Sequence, residues 1–103
     1  MTAKQEFIIT PASTWESGDF LDLATVTEHR LYVDGASDPA FTLAMPELQW
    51  RAPNGFFEPG DGIAQWSTVA VKDGVAYESD PSPALTFTVE LDTPNPPSVE
   101  MVT

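Results

Sequence analysis

Gly62 to Leu91 reads GIAQWSTVAVKDGVAYESDPSPALTFTVEL, and this stretch decides the fold class. Gln65 to Val71 is rich in Trp, Thr and Val and free of Gly and Pro, which predicts a strand. Ala84 to Leu91 predicts a second. There Leu85, Phe87, Val89 and Leu91 fall on one face, and Thr86, Thr88 and Glu90 on the other. That period of two marks a half-buried strand. Between them lie Asp73-Gly74, which supplies the positive φ of a tight turn, and the polar run Glu78-Ser79-Asp80-Pro81-Ser82-Pro83, whose prolines stop any helix.

Working outward, Gln5 to Thr10 is a short apolar strand with Phe7 and Ile9 on one face, ended by Pro11. Ala12 to Gly18 is loop, where Trp15 either folds back as a lid over one end of the core or offers a binding aromatic. Phe20 to Val26 alternates weakly and reads as extended or irregular, although one helical turn also fits. Thr27 to Asp34 is a clearer strand closed by the turn pair Asp34-Gly35. Ala40 to Ala44 and Glu47 to Arg51 are further short strands split by Pro46, and Ala52 to Asp61 (APNGFFEPGD) is a loop. The last segment, DTPNPPSVEMVT, reads as an extended Pro-rich arm. About seven short strands, frequent turn signals and no convincing helix predict an all-β antiparallel sandwich over residues 1–91, followed by the arm, 92–103. The ten prolines also oppose a helical fold.

The 103 residues suffice for one domain that buries roughly 65% of its unfolded surface. A hydrophobic fraction of 42% and an aromatic fraction of 11% suit a packed core. The chain has no cysteine, which excludes disulfides, thiolate metal sites and cysteine nucleophiles. The N-terminal stretch MTAKQEFIITPAS carries no signal-peptide or membrane-span pattern, so cytosolic residence or a signal-independent exit is expected. Sixteen acidic residues against four basic ones give a formal net charge of −12. Such a surface repels phosphate backbones and anionic lipid, which excludes nucleic acid and membrane surfaces as expected partners. It keeps the chain soluble, or matches a basic partner.

Several residues carry a resemblance. Val69 to Ser82, VAVKDGVAYESDPS, resembles the last hairpin of fibronectin type III domains of the bacterial and phage kind, which commonly reads A-V-D-x-x-G-x-E-S-x-x-S before a final strand, here Leu85 to Val89. His29 to Gly35, HRLYVDG, is similar to that family's third strand, and Phe7 to Ser13, FIITPAS, to its second. The chain departs from the pattern at His29, where a Tyr is usual. It departs again near Ala64 and Trp66, where the Tyr that opens the sixth strand is absent. The hydroxyl that pins that corner is then missing, or a Trp N–H replaces it. If FIITPAS is the second strand, nothing upstream forms a first, and a sheet edge stays open. The arm, Asp92 to Thr103, or a neighbouring chain would cover it. The rival arrangement makes FIITPAS the first strand and Phe20 to Val26 the second, with no edge missing.

Little chemistry is encoded. The only histidine, His29, sits mid-strand beside Arg30 and reads as a partly buried strand residue, not a member of a catalytic triad. Asp34, Asp38, Asp61, Asp73 and Asp80 all lie in predicted turns, where carboxylates can gather around calcium, but no EF-hand spacing is present and Asp-Gly is a turn signature first. Carboxylate pairs of the glycosidase kind occur in any acidic domain and single out no residue. No catalytic residue, cofactor or metal is expected.

A binding or scaffolding module remains. Its contact candidates are Phe56 and Phe57, which either diverge in an extended loop so that one is exposed or together plug the open end of the sandwich, Trp15, and the stiff Pro94, Pro96 and Pro97 of the arm. The resemblance implies a phage virion accessory, a head decoration or a tail or neck protein, whose partners are protein subunits, a homo-oligomer being one form. The alternative is a carbohydrate- or cell-surface-binding module that stacks sugars on Trp15, Trp50 or Trp66.

Overall fold

The computed structural model describes residues 5–53, 55–89 and 95–102. Among these residues seven antiparallel strands are formed: β1 (Glu6–Ile8), β2 (Val26–Val33), β3 (Phe41–Ala44), β4 (Gln49–Arg51), β5 (Gly60–Lys72), β6 (Val75–Glu78) and β7 (Leu85–Val89). β1 and β4 make a two-stranded sheet, and the other strands make a five-stranded one in the order β3-β2-β5-β6, with β7 also paired to β5. The architecture is all-β and sandwich-like.

β5 is the central strand. It is longer than the run from Gln65 to Val71, beginning at Gly60 inside the stretch read as loop. Two partners share its outer edge: β7 pairs Gly60 to Ala64, and β6 pairs Val69 to Lys72. β6 itself, read above as part of a turn-rich connection, is a strand. Its hairpin closes on Asp73 (φ 53°) and Gly74 (φ 77°), with Lys72 opposite Val75. Two consecutive positive φ values match the two-residue turn whose twist suits a hairpin.

Alternation along the strands sets the core. Leu31 faces Trp66 across β2 and β5, and Val33 faces Ala64. These pack with Leu43, Ala52 and Phe57 against Phe7 and Trp50 of the small sheet and Ile9 just after β1. Trp50 stacks on Phe41 with ring centroids 4.2 Å apart, while Phe7 meets Trp66 edge-on at 5.6 Å. β4 therefore overlies the β3 side of the large sheet and β1 overlies β5. A second cluster, Leu21, Val26 and Ala70 with Ala12, Trp15 and Met45 against it, fills the far end.

Phe20 to Val26 is not a strand. Phe20 makes one bridge to Thr14, then Leu23–Thr25 forms a single 3-10 turn and β2 begins at Val26. Asp22 explains the break, because its carboxylate accepts the Ala24 N–H at 3.0 Å and its carbonyl accepts the Thr25 hydroxyl. Side-chain bonds of this kind draw the backbone out of a ladder. The rival arrangement, with a second strand here, thus has no counterpart. Instead the strand that starts FIITPAS pairs with β4, and among the described residues nothing pairs with its other side.

Candidate functional site

The far end of the sandwich carries an aromatic cleft of about 480 Å³. Residues 13–21 double back to form one wall: the Leu21 N–H donates to the Ser13 carbonyl, Trp15 N–H to Asp19, and Gly18 N–H (φ 91°) to Trp15. This loop holds the Trp15 ring half-buried against the second core cluster, so Trp15 is in part the lid foreseen from sequence. Tyr77, opposite Ala70 in the β5–β6 pairing and half-exposed, forms the other wall. The two rings meet edge to face at 6.0 Å, and the Lys72 ammonium sits 5.1 Å from the Trp15 centroid, within cation–π range. Thr68 and Ala70 form the floor, and Glu16, Asp73 and Ser79 add polar rim groups. Such a cleft can hold a flat or ring-shaped group by stacking and hydrogen bonding.

The outer face of the large sheet carries a polar network. Arg30 bonds Glu28 at 2.7 Å and Glu78 at 3.0 Å, and Glu78 also accepts from the Ser67 hydroxyl at 2.6 Å and from the Tyr32 hydroxyl. Burial alone would raise the Glu78 pKa, but the hydrogen bonds from Ser67 and Tyr32 and the Arg30 charge outweigh it and hold the carboxyl below its usual value. The bond to Glu78 raises the Tyr32 phenol. The network spans β2, β5 and β6 over Val69, which lies between Glu28 and Glu78 and is buried. It is a clasp across strands.

His29 is fully buried on the inner face, opposite Leu43 and Thr68. Neither ring nitrogen has a hydrogen-bond partner among the described residues, and burial lowers its pKa. Among the described residues no acid is hydrogen-bonded to it to orient it as a general base. The Trp66 indole N–H is likewise buried without a partner there. Among the described residues it therefore pins no corner between strands. The turn aspartates have local duties: Asp34 accepts the Ile63 N–H and Asp61 accepts the Thr88 hydroxyl. Among the described residues, no three acidic or histidine side chains gather as a metal site.

Of the two readings of Phe56 and Phe57, the structure shows the one in which both plug the open end of the sandwich. Phe56 and Phe57 do not diverge. The Phe56 N–H donates to the Pro53 carbonyl, so the loop turns and both rings join one cluster, 4.9 Å apart. Phe57 is buried and meets Phe87 at 4.6 Å, and Phe56 is half-buried against Trp50. They plug the open end of the sandwich. Trp66 is buried and Trp50 lends a face to Phe41, whereas Trp15 lies beside a cleft. Pro96 and Pro97 are exposed, and Pro94 lies outside the described residues. All the described arm residues, 95–102, are exposed, so this part of the arm does not cover the body's own sheet edge.

The signal missed in the sequence was Tyr77. Its position two residues before Ser79 places it across from Ala70, but only the folded loop brings Trp15 to it. Compared with known proteins, the chain matches no family model, no curated protein and no solved structure.

Proposed function

We propose that this chain is a non-enzymatic structural subunit that binds neighbouring protein subunits in a larger assembly. The observation that carries the reading is the arm: Val99, Met101 and Val102 are 83%, 91% and 94% exposed, in a chain of net charge −12. Apolar side chains held in water at this level favour burial against a partner. The strongly acidic surface suits assembly with basic neighbours and disfavours nucleic acid and lipid.

The finer fold we propose is fibronectin type III-like. Its support is the hairpin from Val69 to Ser82, where the serines of the E-S-x-x-S pattern meet the backbone of the preceding strand. The narrower function is a phage virion accessory, a head decoration or a tail or neck component, and it rests on that resemblance. Gradient-purified particles, probed for this chain and counted against the major shell protein, test it. A ratio near one per shell subunit supports decoration, and a dozen or fewer per particle supports the tail or neck. Absence from particles overturns it.

The Trp15–Tyr77 cleft favours a second reading, a carbohydrate- or surface-binding module. A glycan screen read by Trp15 fluorescence, against a Trp15→Ala variant, tests this. No glycan that shifts emission in the parent chain sinks it.

A further inference from the structure

We infer that the free edge of β1 is completed by the C-terminal arm of a second copy of this chain, residues 98–102 adding as a third strand to the β1–β4 sheet. This deepens the proposed role as an assembly subunit by naming the partner and the surface.

The free edge is defined by hydrogen-bond parity. The Ala52 N–H donates to Gln5 and the Ile9 N–H to Leu48, with Phe7 opposite Trp50 between them. Residues 5, 7 and 9 therefore spend their backbone groups on β4. Glu6 and Ile8 direct theirs the other way, where no described strand stands. An unpaired row of N–H and C=O groups is a template for another strand. A two-stranded sheet facing a five-stranded one also lacks the width to cover it.

The core shows what is left uncovered. With β4 over β3 and β1 over β5, the vacant position beside β1 lies over β7, and the Gln5 side chain already reaches the Thr88 carbonyl there. On β7 the inward-facing residues are Leu85, Phe87 and Val89, opposite Ala64, Gly62 and Gly60. Leu85 pairs with a fully buried alanine yet is itself 52% exposed. An apolar residue on the inner face of a sandwich is exposed only where the facing sheet stops short. On the outer face of β1, Ile8 is 78% exposed.

The arm has the matching chemistry. In Ser98-Val99-Glu100-Met101-Val102, Val99 and Met101 share one face, the period of a half-buried strand. Docked on β1, they cover Leu85, and Val102 comes to the Ile8 side. The donor is a second copy because every described arm residue is exposed on its own body, and in the sequence Pro94, Pro96 and Pro97 favour a stiff extended spacer. The ten residues from Val89 to Val99 reach about 30 Å, ample to bridge to a neighbour.

The test compares the full chain, a chain ending at Leu91, and a Val99→Asp/Met101→Asp variant at tens of micromolar. Sedimentation gives the oligomeric state, and amide hydrogen exchange reads Glu6 and Ile8. The full chain is expected to self-associate and to exchange these amides at least about tenfold more slowly than the truncated chain. Both altered chains are expected to be monomers with an unchanged fold, since the described arm residues, 95–102, are all exposed. A monomeric full chain overturns the inference, including one with protected Ile8, which would mean closure on its own edge. Self-association that survives either arm change, or without Ile8 protection, overturns it as well. A chain found in particles that never self-associates would sink this inference and leave the proposed function standing.

Discussion

Ser82 and Trp66 bond each other twice: the Ser82 N–H donates to the Trp66 carbonyl at 2.8 Å, and the Trp66 N–H donates to the Ser82 hydroxyl at 3.0 Å. Ser79 repeats the arrangement with Thr68, at 2.8 and 2.9 Å. The two serines thus carry the edge of β5 across the gap between β6 and β7. Two residues lie between the serines where one lies between Trp66 and Thr68, so the segment bulges and turns away after each bond. Pro81 and Pro83, which have no N–H to donate, fit this edge because the serines supply the bonds.

Replacing Ser82 by Ala leaves the Trp66 N–H without its acceptor. The expected cost is about 1–2 kcal/mol, or a melting temperature lower by roughly 5–10 °C. Ser79→Ala is expected to cost a similar amount through Thr68. Thermal unfolding of each variant checks this; a change within error for both would show that water replaces the hydroxyls freely.

Gly62→Ala tests a close approach. Gly62 faces Phe87 across β5 and β7, and a Cβ placed there would lie 2.5 Å from the ring's Cζ. The ring cannot retreat easily, because it also packs on Phe57. The substitution is expected to destabilise by about 1–3 kcal/mol, as overpacking does. Gly62→Ala/Phe87→Leu should recover part of that loss in the same denaturant titration, and no recovery would place the strain elsewhere.

These contacts mark how far the sequence could be read. Period-two alternation in Leu85 to Val89 and the Asp73-Gly74 pair are local signals, and they led to the right strand and the right tight turn, although β6, which follows that turn, reads as connection in the sequence. The failures came where a side chain competed with the ladder or a loop chose its own path. Asp22 captured its neighbours' backbone and turned an alternating run into a 3-10 turn. The turn from Pro53 to Phe56 folded two adjacent rings into one cluster, against the rule for extended chain. Trp15 and Tyr77 are 62 positions apart in sequence, and no pattern of either local stretch announces their meeting.

Glu78→Gln is expected to destabilise at neutral pH and to converge with the parent in acid. The folded chain holds this carboxyl below its usual value near 4.5. Its contribution is therefore full above that value and is lost as pH falls through the lower folded one. Urea titrations at about pH 7 and about pH 3 check this. A difference that persists at the lower pH would assign the effect to shape and not to charge.

His29→Leu is expected to leave the fold intact and raise stability by about 1 kcal/mol at neutral pH. The buried imidazole has no partner for either nitrogen among the described residues, and Leu fills similar volume without a polar group to desolvate. Burial also sets a pH signature. The folded pKa lies below the usual 6.5, so the unfolded chain takes up the proton first. The stability that depends on a neutral His29 is full above about pH 6.5 and declines as pH falls through the lower folded value. The variant lacks that decline. Its advantage over the parent should widen between about pH 7.5 and pH 5.5, a window above the one in which Glu78 titrates. The two carboxylate-rich chains share every other charge, so their difference isolates the imidazole. An advantage that stays constant across the window would mean that His29 finds a proton acceptor when charged, and the cost of its burial would then be steric alone.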